Sequence, residues 1–232
     1  MLSRRTLIAS LAVTPFAARA AGMAGREALP AGDDFRHGLD KWRVESAGAA
    51  RVSAGKGILD IDTPAGITLW FLQELVGPVA IAYDVRAVAQ GGANDAVSDV
   101  NAFWMASDTS SAGGSVLAHK RSGVFEDYDT LQTYYVGIGG NRNTTTRMRR
   151  YIGRPGDRPL LPQHDRKDKA DMLEPNRWFR LRLIADGNHI AVERDGATLF
   201  TLDDPQPYRR GHFGLRSTES HLQIRNFTIT RP

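Results

Sequence analysis

The 232-residue chain has no cysteine. That excludes disulfides and thiolate catalysis, so its stability must rest on a packed core. There is no HExxH pair, and the histidines at 119, 164 and 221 do not share metal-ligand spacing, so no zinc site is expected. Nor is there a phosphate-binding loop. Gly139-Gly140-Asn141-Arg142-Asn143-Thr144 is rich in turn residues, but it lacks the GxxxxGK[ST] spacing and no helix follows it. No long helical periodicity is present, and no repeat of about 20–50 residues. No cofactor is expected. A structural calcium built from Asp95, Asp99 or the Asp203–Asp204 pair has no EF-hand-like spacing behind it.

The chain opens with Ser3-Arg4-Arg5, an apolar run over 7–18 and the small-x-small site Ala18-Arg19-Ala20. These are the parts of an export signal over residues 1–20. The run falls short of the roughly 20 apolar residues that span a bilayer. The paired arginines point to the twin-arginine route, with an ordinary Sec signal as the alternative. Removing that segment takes away Arg4, Arg5 and Arg19 and no acid, so the formal charge falls from +4 to +1. A nearly neutral mature protein argues against a nucleic-acid binder, and no membrane partner is expected once the signal is gone. The expected location is periplasmic or secreted. Residues 21–32 read as a flexible lead-in and 33–232 as one domain.

Short apolar–polar alternations recur at 42–45, 51–52, 57–62, 67–72, 79–87, 100–106, 131–139, 145–152, 176–185, 189–194, 198–202, 211–216 and 222–230. Turn signals such as Asp186-Gly187-Asn188 and Asp195-Gly196 separate several of them. Many short strands joined by turns predict an all-β sandwich or barrel. A long Ser/Gly-rich loop over 107–123 contains His119 and Lys120, and loops of that length usually have a function or are mobile.

The densest chemistry lies between Tyr128 and Asp165, where aromatics, amides, hydroxyls and arginines surround the Gly/Asn/Thr loop. Three strings carry a family resemblance: Asp99-Val-Asn-Ala-Phe-Trp-Met-Ala, the run from Tyr134 through Gly-Asn-Arg-Asn-Thr-Thr-Thr-Arg to Arg147, and Arg158-Pro-Leu-Leu. They resemble a secreted bacterial family catalogued as domain of unknown function 6250. The early Asp-Asp-Phe and the closing pattern from Phe213 resemble concanavalin A-like jelly rolls, a superfamily that includes lectins, glycan hydrolases and polysaccharide lyases. The resemblance covers about 33–232. It implies a jelly-roll β-sandwich of two antiparallel sheets and a link to polysaccharide breakdown, and it transfers no catalytic residue.

Period-2 alternation assigns faces. Tyr134, Val136, Ile138, Met148 and Ile152 are expected in the core, and Thr133, Tyr135, Arg147, Arg149 and Tyr151 on the opposite face. With Phe103 and Met105 placed in the core, Trp104 would join that outer face. A single Tyr or Arg on a strand is more often packing or solvated edge than ligand contact, so the weight lies on the cluster. Arginine forks bind carboxylates, aromatic rings stack on sugars, and Asn141 and Asn143 can bond vicinal hydroxyls. The expected partner is an acidic, uronate-containing (pectin-like) poly- or oligosaccharide in a concave groove.

Cleavage by β-elimination needs a carboxylate neutraliser, a base and an acid. Arg147 and Arg149 suit the first role, and Tyr135, Tyr151 and His164 the others. Trp104, His119, Lys120, Thr133, Asn141 and Asn143 complete the expected binding set. A glycoside hydrolase would need paired carboxyls, for which Glu126, Asp129 and Glu193 are the candidates. A non-catalytic carbohydrate-binding protein and a structural or partner-binding sandwich are the further alternatives.

Overall fold

The computed structural model describes residues 29–232, so the expected export signal and most of the lead-in lie outside the described residues. The strands are β1 Ala31–Asp33, β2 Trp42–Ser46, β3 Arg51–Gly55, β4 Ile58–Thr63, β5 Ile67–Phe71, β6 Leu75–Val76, β7 Val79–Ala87 and β8 Val100–Asp108. They continue as β9 Leu131–Gly139, β10 Thr145–Ile152, β11 Asp165–Arg166, β12 Phe179–Asp186, β13 His189–Arg194, β14 Ala197–Asp203, β15 Arg210–Ser217 and β16 Ser220–Thr230. The sequence pattern anticipates all but the three shortest, β1, β6 and β11. Two or three residues are too few to show a period. The first sheet begins at Ala31, where β1 pairs with Phe227–Ile229.

Two eight-stranded antiparallel sheets result. The first runs β14-β13-β12-β7-β16-β4-β3, with β1 on β16; the second runs β11-β10-β9-β8-β15-β5-β2, with β6 on β15. Neighbours distant in sequence, such as β7 beside β16 and β8 beside β15, give the jelly-roll sandwich expected from the sequence.

One cluster of buried side chains fills the space between the sheets, including Leu59, Ile81, Tyr83, Leu181, Val192, Phe213, Ile224 and Phe227. Tyr134, Val136, Ile138 and Met148 join it, as alternation requires. Strand β8 departs from simple alternation. A register shift lies between Trp104 and Ser107, and Met105 has φ of 54°. The bulge lets Trp104 and Met105 both enter the core, while Phe103 turns outward. Trp104 is fully buried against Tyr134 and does not face the groove; choosing the wrong phase for this strand caused the misplacement.

A second buried cluster lies on the outer face of the second sheet. Trp70, Phe103 and Tyr151 from the strands meet Val116 and Tyr128 from the 109–130 segment. The long loop therefore covers part of this face. Glu45, fully buried, fixes it there, accepting from Trp70 Nε1 and Tyr128 Oη at 2.9 Å and from the Arg121 amide at 3.1 Å.

Candidate functional site

The antiparallel register lines up two rows of outward side chains across the second sheet. One row reads Glu45, Thr68, Arg216, Asn101, Gly137, Arg147, Asp165 from β2 to β11. The next reads Arg43, Trp70, Gly214, Phe103, Tyr135, Arg149. The loop covers the β2–β5 end of both rows. The other end is open and forms a groove of about 560 Å³, into which Asp99, Asn101, Tyr135, Arg147, Arg149, Tyr151, Arg158 and Arg216 project. A volume of that size is typical of small-ligand sites.

Gly137 shapes the floor. A Cβ there would sit 2.7 Å from Tyr135 Oη and 2.8 Å from Asn101 Oδ1. Only a residue without a side chain leaves room for both groups over the strand.

The cations differ in how their charge is met. Arg147 pairs with Asp165 at 2.7 Å, and Arg158 with Asp129 at 2.6 Å. Arg149 donates to the Arg158 carbonyl. Arg216 is only 4% exposed. It donates to Thr68 Oγ1 at 2.9 Å and Gly123 O at 3.2 Å, between the faces of Phe125 and Tyr128. Among the described residues neither Arg149 nor Arg216 has a carboxylate at ion-pair distance. Burial draws the pKa of Arg216 below its ordinary value.

Two buried polar atoms in the groove lack a partner, Asn101 Oδ1 and Tyr151 Oη. Such atoms are costly unless something outside the protein satisfies them. Burial pushes the Tyr151 phenol up to about 12 and raises that of Tyr135 further. Both hydroxyls are thus protonated at neutral pH and serve as donors. Asp99 lies at the groove's end with φ of 56°. Burial raises its carboxyl above the usual range and the nearby Glu219 adds to this, outweighing hydrogen bonds from Ser98 and Asn101 and the charge of Arg216.

The structure brings together Tyr135, Arg147, Arg149, Tyr151 and Asn141 of the expected set. It places the others elsewhere. His164 is buried, with Nε2 2.9 Å from Thr201 O and its ring edge-on to Phe200; the 162–164 turn carries it toward β14 of the other sheet. Thr133 shares the outward face of β9 but is fully buried, its hydroxyl directed at the Trp104 and Tyr134 carbonyls. Asn143 is tied to the Leu173 backbone, donating at 2.9 Å and accepting at 2.8 Å. His119 sits 3.7 Å from Asp108 on the covering loop, and Lys120 is exposed there; neither lines the groove. Trp104, as described, is core. Phe125 lines the rim instead, with Arg158 over its ring at 4.2 Å.

Sequence reasoning missed Arg216, Asn101 and Asp99 as groove residues. Alternation contained the signal for Arg216: Phe213 and Leu215 in the core put residue 216 on the outer face. The calcium reading is not supported by the local contacts. Asp95 accepts from the Gln90 and Gly92 amides, and Asp204 from Tyr134 and Arg150. Among the described residues no group of three or more His, Cys, Asp or Glu is placed to hold a metal ion. None of their helices is long and apolar enough to cross a membrane.

A family model described as "Domain of unknown function (DUF6250)" matches residues 61–227. No curated protein matches the chain. Among solved structures, a Bacillus subtilis protein of unknown function with a galectin-like fold is similar at TM-score 0.63 and 15% identity, over 83% of this chain and 90% of that one. A carbohydrate-binding module, CBM66, from Bacillus subtilis is similar at 0.55 and 11%, over 82% and 95%. β-Agarase B from Zobellia galactanivorans is similar at 0.52 and 10%, over 85% and 90%. At these identities the likeness is one of fold.

Proposed function

We propose that this chain, which belongs to the DUF6250 family, is an exported carbohydrate-active protein that binds a uronate-containing glycan in the open groove and cleaves it by β-elimination. The observation that carries this reading is the pair Arg149 and Arg216. Two guanidiniums with no carboxylate at ion-pair distance face a groove whose other polar groups are the carboxyls of Asp99 and Glu219, the cations of Arg147 and Arg158, phenols, amides and hydroxyls. A sugar carboxylate supplies the missing anion. That two fold neighbours are named as a carbohydrate-binding module and an agarase is in keeping with a saccharide ligand.

The chemistry follows from the groups present. Arg149 and Arg216 neutralise the uronate carboxylate, which acidifies the neighbouring C5 proton. Asp99, a desolvated carboxyl at the end of the groove, takes that proton in its ionised form. The electron pair left at C5 forms the C4–C5 double bond as the C4–O bond breaks. Tyr151, protonated and unpaired, gives its proton to the leaving oxygen. Tyr135 is positioned over Gly137 to donate to the ligand.

Incubation with a panel of uronic and neutral polysaccharides, followed by ultraviolet absorbance of unsaturated product, tests the proposal. Absorbance with uronic substrates alone is expected. New reducing ends without unsaturation would favour hydrolysis by Asp99 and Glu219, which line the groove together. Binding without either product would leave a lectin-like protein.

A further inference from the structure

The cleft does not end at Asp99. Beyond it lies a second cavity of about 670 Å³. The two cavities share a wall, since Asp99, Asn141, Thr218 and Glu219 line both. Asp99, Asn141 and Glu219 have φ of 56°, 54° and 45°. Side chains other than glycine seldom adopt this left-handed region, and it persists where the surroundings enforce it, commonly at ligand sites. Asp and Asn tolerate it better than most, and Asn141 and Glu219 sit in the β9–β10 and β15–β16 turns; it is the shared lining that makes the two cavities arms of one cleft.

The arms differ in charge. The first sets Arg147, Arg149, Arg158 and Arg216 against the two shared carboxyls. The second sets Arg142 alone against the same two. The rest of the second arm comprises amide and hydroxyl groups, from Asn94 and Ser98, and small apolar surfaces, from Pro64, Ala93 and Val97. Apolar patches fit the C–H face of a sugar ring, and amides and hydroxyls fit its hydroxyls. A second uronate would meet net negative charge there.

We infer that the second cavity is a subsite for a neutral sugar, and that the whole cleft recognises a heteroglycan in which a uronate is linked to a neutral residue. This rests on the uronate reading of the first arm. Ala93 is exposed and lines only the second arm, so Ala93→Trp fills that arm without touching the four arginines of the first. Calorimetric titration of the wild-type protein and this variant, with thermal melting as a folding control, uses three probes. They are a uronate disaccharide, a homo-uronate tetrasaccharide and an alternating uronate–neutral tetrasaccharide. The alternating probe should bind wild type about tenfold more tightly than the homo-uronate one. Ala93→Trp should remove that preference and leave the disaccharide affinity unchanged. Equal wild-type affinity for the two tetrasaccharides, or a preference that survives Ala93→Trp, overturns the neutral subsite while the uronate reading stands. Failure of the wild type to bind any of the three overturns the uronate reading itself.

Discussion

Two buried arginines lie against the same face of the same sheet, and their surroundings differ. Arg121, 5% exposed, belongs to the covering loop and points inward. It pairs with Asp108 and has Glu45 at 3.8 Å, and it donates to Val116 O at 2.9 Å. Arg216, 4% exposed, lies at the open end, where it has a hydroxyl, a carbonyl and two aromatic faces but no carboxylate. A buried charge without a counterion costs stability that packing must offset. Arg121 is explained by the fold alone. Under the proposed function Arg216 meets an anion that arrives from outside, and the two ends of the face would divide accordingly into structure and site.

Removing each arginine tests the division most strongly. Arg121→Ala strands Asp108 and Glu45 in the interior and should cost about 3–5 kcal/mol, read as a lower urea midpoint. Arg216→Met keeps the packing against Phe125 and Tyr128 and removes an unpaired charge, so stability should hold or rise while affinity for acidic glycan is lost. A large destabilisation by Arg216→Met, with ligand affinity intact, would erase the distinction. The tyrosines give the next contrast. Tyr151→Phe deletes a hydroxyl that has no partner; product formation should fall about 10²-fold or more with melting unchanged. Tyr128→Phe deletes a bond to Glu45 and should cost about 1 kcal/mol with activity unchanged. Gly137→Ala would press on Tyr135 and Asn101. Fold should persist, and ligand affinity should drop about tenfold, measured by calorimetry.

How much of this was legible in the sequence depends on how many residues share each signal. Strands of five or more residues announce themselves by alternation, and β9 and β10 placed Tyr135, Arg147, Arg149 and Tyr151 on one face. β8 did not, because Val100, Ala102 and Trp104 alternate into the core and a bulge at Met105 turns that residue inward too, so a phase read from Met105 puts Trp104 on the wrong face. The histidines and Asn143 were chosen for chemistry rather than for a face. The contacts of His164 and Asn143, to Thr201 O and the Leu173 backbone, come from segments far away in sequence, and His119 turns back to Asp108 at the start of its own loop. Arg216 was missed for a related reason. Alternation puts it on the outer face, but its role depends on what is absent around it, and no local pattern records a missing counterion.

The smallest expected effect concerns the rim of the second arm. The 88–99 segment carries Asn94, Ser98 and Asp99, and Asp95 within it is 2.9 Å from Nδ1 of His221 on β16. The Nε2 atom of His221 is 3.2 Å from Asp60, and Asp62 is also close. Burial alone would lower the His221 pKa, but the bonds to Asp95 and Asp60 outweigh it and hold the pKa above its ordinary value. A raised folded pKa means that the charged form stabilises the native state. That contribution is fully present below the unfolded value of about 6.5 and is lost as pH rises through the folded value. Asp95 has the opposite sign: amide bonds from Gln90 and Gly92 hold its carboxyl low, so its share fades only as pH falls below the usual carboxylate range. Urea midpoints should therefore decline as pH rises from about 6.5 through the raised folded value, and His221→Gln should flatten that decline. Arg216 lies outside this cluster, so Arg216→Met should leave the decline in place. A variant that alters the pH profile without altering short-ligand affinity would show that the rim is held independently of the arginine arm. An unchanged profile in His221→Gln would show that the histidine does not hold the rim.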